Sequence, residues 1–307
     1  MKFTKPGIFL STAILICGCG GNIGDQLGSL QNALPVTSVL APANGNFRLV
    51  ATDAPFTYDL ISSAKITIAL IKVRKTDGTY TTVSELPKTI DLVTLKNGMV
   101  SSLSDITIPP GQYDLVQLHI ASASIDMKDG RHFDMTVPSG AQTGLKVFVN
   151  PSINVSTQVS TDLLLDFDLS RSFLPLGNSR EPQSITGFNF MPVIRASNLT
   201  TAGTVSGKVL SDLGTQDVSD DVPLAGAIVE VKQGAVSSTA VTEVDGSFKV
   251  IGLAEGDYNL SVSAEEHNPK DSVTISIVAG NVTSAGDSLL SKIVVVEEET
   301  ISQSSDE

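Results

Sequence analysis

Cysteine is nearly missing from this chain. Of 307 residues only Cys17 and Cys19 carry a thiol, both ahead of residue 20, so no disulfide can staple the body that follows and buried apolar surface must hold it. Tryptophan is absent, tyrosine numbers 4 and phenylalanine 11, which leaves few of the flat rings on which polysaccharides stack. Positive charge is scarce as well: 20 Lys and Arg stand against 33 Asp and Glu, a net charge of −13. With no basic patch and no interleaved aromatics, nucleic acid and other polyanions are excluded as partners. There are three histidines and no G-x-S-x-G, H-E-x-x-H or glycine-rich phosphate loop. The sequence therefore supports no enzyme, no catalytic residue and no cofactor. No apolar run approaches the ~20 residues of a spanning helix, and no long stretch keeps helical spacing.

What is present begins with Lys2 and Lys5, an apolar run from Ile8 to Ile16, and the small residues Gly18, Gly20 and Gly21. That is the order of a secretory signal. Ile16-Cys17-Gly18-Cys19 resembles a bacterial lipobox, with an aliphatic side chain three places before the acceptor and a small one just before it. Cys19 is the expected lipid-attachment residue, and residues 1–18 the signal peptide; Cys17 fits worse, because Ile16 precedes it. Two other readings stay open: an ordinary cleaved signal with incidental cysteines, or a local disulfide or metal pair. C-x-C alone offers too few ligands for a closed zinc site. Acyl burial contributes about 0.8 kcal/mol per methylene, so two or more chains hold a protein durably on a bilayer where one does not. Loss of Lys2 and Lys5 takes the charge from −13 to −15. By analogy with enterobacterial sorting, Gly20 favours the outer membrane. The expectation is a lipid-anchored protein of the bacterial cell envelope, with the bilayer as first partner.

Residues 19–44 mix Gly, Asn, Pro, Ser and Ala without a sustained period and read as a flexible tether, the alternative being an ordered N-terminal strand at Pro35 to Leu40. From Phe47 the pattern becomes strand-like: β-branched residues in short runs between turn signals. Candidate strands are FRLVATDA, SAKITIALIKVRK, TYTTVSEL, TIDLVTL, YDLVQLHIASASIDM, RHFDMTV, LKVFVN, TDLLLDFDLS and FNFMPVIRA. Val116, Leu118 and Ile120 alternate with Gln117, His119 and Ala121, placing one face inward. Asp77-Gly78, Pro109-Pro110-Gly111 and Lys128-Asp129-Gly130 punctuate them. The fold class expected is all-β, two sandwich domains in tandem. A small polar stretch after Arg195 divides them; the first domain is placed at 45–196, the second at 203–290, and an acidic, serine-rich disordered tail at 291–307.

The phrases LVATDAP (49–55), IDLVTLKNG (90–98), IPPGQYDLVQLHI (108–120), DGRHFDMTVPSGAQTGLKV (129–147) and LLLDFD…PVIR (163–195) resemble a DUF4382-type domain of unknown function, common in bacterial surface lipoproteins. The resemblance implies a β-rich extracytoplasmic module with no assigned catalytic residues. GTVSGKVL (203–210), PLAGAIVEVKQG (223–234), STAVTEVDGSFKVIGLAEGDYNLSVSAEEH (238–267) and VTISIVAGNVTSAGDSLL (273–290) resemble the carboxypeptidase regulatory-like family. This implies a transthyretin-like, seven-stranded sandwich of starch-binding-like grouping, used as an accessory domain. Asp245-Gly246 reads as a hairpin turn between TAVTEV and SFKVIGL, Glu255-Gly256 as the next turn, and Tyr258, Leu260 and Val262 share one strand face.

His119 alternates with aliphatics, His132 follows a turn and His267 lies in an acidic loop; each reads as structural, because isolated histidines without partners seldom carry catalysis. Two acid groups are weighed as calcium ligands: Asp166 with Asp168, and Asp212, Asp217, Asp220 and Asp221. Amphipathic alternation explains the first and a solvated loop the second, so no metal ligand is assigned. Tyr258 in GDYNL reads as core through the family resemblance, not as a sugar platform. Asn154, Asn198, Asn259 and Asn281 begin N-x-S/T sequons, chance matches in a bacterial lipoprotein. The function expected is a non-enzymatic envelope lipoprotein that binds carbohydrate or displays ligands; the alternative is a structural or adhesive protein whose partner is another envelope protein. Ligand-binding residues are not assigned.

Overall fold

A computed structural model describes residues 43–54, 60–137, 143–178, 181–213 and 220–293. Cys17 and Cys19, the expected signal, the expected tether up to residue 42, Asp217 and the tail from residue 294 lie outside the described residues. Within these bounds the chain is all-β, and its buried side chains gather in two separate cores.

The first sandwich runs through β1 (Gly45–Ala54), β2 (Ile61–Lys75), β3 (Tyr80–Ser84), β4 (Lys88–Asp91), β5 (Ser101–Ile108), β6 (Gly111–Met127), β7 (His132–Met135), β8 (Leu145–Val155), β9 (Thr161–Asp168), β10 (Phe173–Leu176), β11 (Gly187–Phe190) and β12 (Ile194–Asn198). One sheet has the order β12-β9-β1-β5. The other is built on the long pair β2 and β6, with β3 and β4 on one side and β7 and β8 on the other. β1 lies antiparallel to β5 but parallel to β9, with Phe47 opposite Thr161 and Asp53 opposite Phe167. The inner faces meet over Phe47, Leu118, Ile66, Phe167, Phe173 and Phe190, all at most 2% exposed.

The strand alternation expected in β6 holds at Val116, Leu118 and Ile120, which are buried. It then slips one residue where Ser122 pairs Thr67 and Ile120 pairs Ile68, and resumes with Ala123, Ile125 and Met127 inward. A β-bulge inserts an extra residue and so exchanges the faces.

Three expected elements differ in detail. TIDLVTL is a strand only to Asp91; Leu92–Leu95 then turn as a 3-10 helix, because the Asp91 carboxylate accepts from the Val93 amide at 3.2 Å and from the Ala64 amide at 3.0 Å. A side chain that caps in this way competes with continued pairing. TDLLLDFDLS likewise ends as a strand at Asp168, whose carboxylate accepts from the Arg171 amide at 3.0 Å and caps the short helix α1 (Leu169–Ser172). FNFMPVIRA is two strands, β11 in a hairpin with β10 and β12 beside β9, since Pro192 supplies no amide to carry the ladder on. β5 and β10 are absent from the expected strands; SSLSDITI is polar at alternate positions, with Leu103 and Ile108 as its buried residues.

The second sandwich contains β13 (Gly203–Asp212), β14 (Val222–Pro223), β15 (Ile228–Gln233), β16 (Val236–Val241), β17 (Ser247–Leu253), β18 (Gly256–Ser263), β19 (Lys270–Ile277) and β20 (Val282–Ser291). One sheet places β13 between β14 with β17 and the parallel β20; the other has the order β16-β15-β18-β19. Tyr258, Leu260 and Val262 face inward as expected. The Asp245-Gly246 turn forms, with Gly246 at φ +75° and its amide bonded to Glu243 at 2.9 Å. It is not a hairpin turn: β16 and β17 belong to different sheets, so it carries the chain across the sandwich. A Cβ at Gly246 would sit 2.5 Å from the Val209 carbonyl, so backbone packing as well as positive φ demands glycine here.

Candidate binding cleft

The two sandwiches touch along β9, β12 and the loop after the 3-10 helix on one side and β16 and β17 on the other. Asn97 Nδ2 donates to Glu243 Oε1 at 2.6 Å, and Lys96 Nζ lies 3.4 Å from Glu243 Oε2. Arg195 ties three strands together: its guanidinium pairs with Asp166 on β9 and donates to Ser238 Oγ on β16 at 2.6 Å. Gly252, at φ +78°, brings the β17 backbone so near that a Cβ would fall 2.6 Å from Leu164 Cδ2 and 2.7 Å from Ser197 Oγ.

Beside this contact lies a cleft of about 830 Å³ lined from both sandwiches. β8 contributes Lys146, Phe148 and Asn150, and the chain from β12 onward contributes Arg195 and Asn198. The second sandwich contributes Gln233, Val236, Glu255 and Tyr258. Phe148 is 66% exposed and Val236 is 49% exposed, whereas Tyr258 is 5% exposed and belongs to the second core. Burial pushes the Tyr258 phenol above its usual range. The wall thus mixes amides and charges of both signs with one freely presented ring.

The residues singled out from sequence go elsewhere. His119 is half-buried on β6 and abuts Gly144, where a Cβ would meet its Nε2 at 2.8 Å. His132 is exposed and sits between Asp126 (Nδ1 to Oδ1, 2.5 Å) and Asp134 (Nε2 to Oδ1, 3.2 Å). Those bonds, Asp126 first, raise the imidazole above its ordinary value; the bond to His132, followed by that to Lys65, lowers the Asp126 carboxyl. His267 is 7% exposed rather than set in an open acidic loop. Its Nδ1 donates to the Glu265 carbonyl at 2.7 Å and its Nε2 bonds Ser211 Oγ at 2.8 Å. Ser211 is 2% exposed, so this serine–histidine contact is closed to substrate and reads as a buried polar tie.

Asp166 and Asp168 share a face of β9, as alternation requires, but serve different partners: Asp166 the Arg195 guanidinium, Asp168 the Arg171 amide and the Ser170 hydroxyl. Asp212 ends β13, and Asp220 and Asp221 precede β14. Among the described residues no three His, Cys, Asp or Glu side chains converge as a metal set. Phe148 and Arg195 were legible in principle. Val147 and Val149 point inward in LKVFVN, which leaves the phenylalanine between them facing solvent.

Among solved structures, the chain is similar to the TIE protein of Bacillus anthracis, at 11% identity and a TM-score of 0.26 over 81% of this chain and 41% of that one. It is similar to GBS52, a minor pilin of Streptococcus agalactiae, at 10% identity and a TM-score of 0.26 over 82% and 98% of the two chains. It is similar to the shaft pilin spaA of Lactobacillus rhamnosus GG, at 8% identity and a TM-score of 0.25 over 83% and 100%. The chain spans about two fifths of the first of these. No curated protein matches it. Residues 44–183 match the family model of a domain of unknown function (DUF4382) and residues 204–289 that of the carboxypeptidase regulatory-like domain, so the chain carries these two modules in tandem.

Proposed function

We propose that this is a non-enzymatic binding protein of the bacterial cell envelope, tethered through an acylated Cys19, whose ligand is a glycan seated in the cleft between the two sandwiches. The observation that carries the reading is the cleft itself, about 830 Å³ of shared wall with amide and charged hydrogen-bonding groups around an exposed Phe148. A sugar ring offers hydroxyls to such groups and an apolar face to a phenyl ring, and a site spanning two modules gains its shape only when both are folded. The histidines lie outside the cleft lining and have other partners, which favours binding over turnover.

The test is a polysaccharide array probed with the full chain in detergent. Binding is expected, with Phe148→Ala about tenfold weaker, the size of a lost central contact. Absence of any glycan signal together with recovery of one envelope protein in pull-downs would favour the second reading, a protein partner. The observation on that side is β19, an edge strand of its sheet with Val273 49% exposed, open to strand addition. Mass spectrometry of the mature N-terminus tests the anchor: a diacylated or triacylated Cys19 is expected, and an unmodified residue there overturns it.

A further inference from the structure

The cleft between the modules carries two charges that nothing in the described protein answers. Lys146 stands on β8 and Glu255 in the turn between β17 and β18, so each lines the cleft from a different sandwich. Both are exposed, and among the described residues neither charged group has an ion-pair or hydrogen-bond partner. Nor do the two pair with each other. The remaining charges of the wall, Asp166 and Arg195, neutralise one another.

Their places are set by the fold. On β8 Val147 and Val149 point into the first core, which turns Lys146, Phe148 and Asn150 outward as one row along the cleft. Alternate positions on a strand face stand about 6–7 Å apart, a step close to one residue of a sugar chain, so a cation and an amide flank the Phe148 ring. Across the gap Gly256, at φ +139°, fixes the turn that holds Glu255: a Cβ there would fall 2.6 Å from Gln233 Nε2, which itself donates to the Asp257 carbonyl at 3.3 Å. Single exposed charges are ordinary on a surface. Two of opposite sign without partners, on the two walls of one concavity, set a requirement on what fills it.

A ligand that fills the cleft strips water from both groups, and a charged group then left without a partner costs more than a neutral one. A neutral sugar answers neither charge. A polyanion meets Lys146 but sets a like charge against Glu255, in a protein whose net charge is already −13; a polyamine reverses the fault and repels Lys146. We propose that the cleft selects a zwitterionic glycan, one whose neighbouring residues carry a carboxylate for Lys146 and a protonated amine for Glu255, with a ring face on Phe148. This rests on the glycan reading of the cleft and adds the substrate class to it. Complementary charges of this kind discriminate among ligands more than they add affinity.

The experiment titrates the full chain in detergent with four oligosaccharides of equal length. One is a glucuronate-glucosamine chain with free amines; its N-acetylated form keeps only the carboxylate, oligoglucosamine keeps only the amine, and oligo-N-acetylglucosamine is neutral. The free-amine glucuronate chain is expected to bind about tenfold tighter than each of the others, the low end for a hydrogen bond to a charged group, with the advantage shrinking in molar NaCl. Lys146→Met should erase the advantage over the amine-only sugar, Glu255→Gln the advantage over the carboxylate-only sugar, and Phe148→Ala should weaken all four alike. Both charge variants change exposed positions and should melt with the wild type. Equal binding of all four sugars, or an advantage that survives the matching charge variant, overturns the zwitterion and leaves the glycan reading standing. No binding to these or to any sugar on the array overturns both.

Discussion

In the first sandwich the interior rests on rings and long aliphatic chains, Phe47, Phe167, Phe173 and Phe190 among them, whereas the second is closed chiefly by valines around Phe248 and Tyr258. Among the described residues the buried clusters hold 35 apolar side chains against 14. A module of the smaller size buries a lesser fraction of its surface and is marginal by itself. The difference explains where the contact between them falls. The second sandwich brings glycine backbone and small hydroxyls, Gly252 and Ser238, to a wall that the first supplies with Leu164, Asp166 and Arg195. The large module offers the rigid surface, and the small one is shaped to lie on it.

That asymmetry can be broken from either side. The largest effect is expected from Phe167→Ala, fully buried in the first core, at about 3–5 kcal/mol. In calorimetry it should lower the melting of both modules, because the second loses its support. Phe248→Ala should instead melt the second module early and leave the first transition in place; loss of both from that change would refute the hierarchy. Next in size is Gly252→Ala, where positive φ and two close neighbours add strain of order 1–3 kcal/mol. It should push the modules apart without unfolding either, read as faster amide exchange in β12 and two separated melts. Unchanged exchange there would mean that the contact is loose already.

The smallest effect belongs to the exposed cluster of Asp126, His132 and Asp134, far from both cores. The His132 contribution, from an imidazole raised in the fold, is present below the ordinary histidine value and fades as pH climbs through the raised one. The Asp126 contribution, from a lowered carboxyl, is present above the ordinary aspartate value and fades as pH falls through the lowered one. The pair therefore acts most strongly between those limits. In an NMR titration Asp126→Asn should return His132 toward its ordinary value with little change in Tm, and an unmoved titration would discount the bond.

Much of the fold was legible because period-two alternation and glycine-marked turns are local facts. β1, β2, β6 and the inward trio Tyr258, Leu260 and Val262 follow from them directly. What escaped is non-local. Asp91 and Asp168 read as strand residues until their carboxylates turn back on the chain. Asp245-Gly246 marks a turn, yet no local pattern says whether the next strand joins the same sheet or the opposite one. His267 looked solvated and is enclosed, through Ser211, 56 positions away. The cleft lies between modules, and no alternation within one strand announces a wall shared by two domains.

The parallel placement of β1 has a mechanical consequence. Tension arriving from the chain ahead of Gly45 enters a strand hydrogen-bonded on both flanks, to β5 and to β9. Pulled along its axis, such a strand loads its rungs together instead of peeling them one after another from a hairpin end. β13, flanked by β17 and β20, repeats the arrangement for a force that passes between the modules. Both modules thus receive a tug from the N-terminal side in shear, the direction in which a ladder of weak bonds resists best.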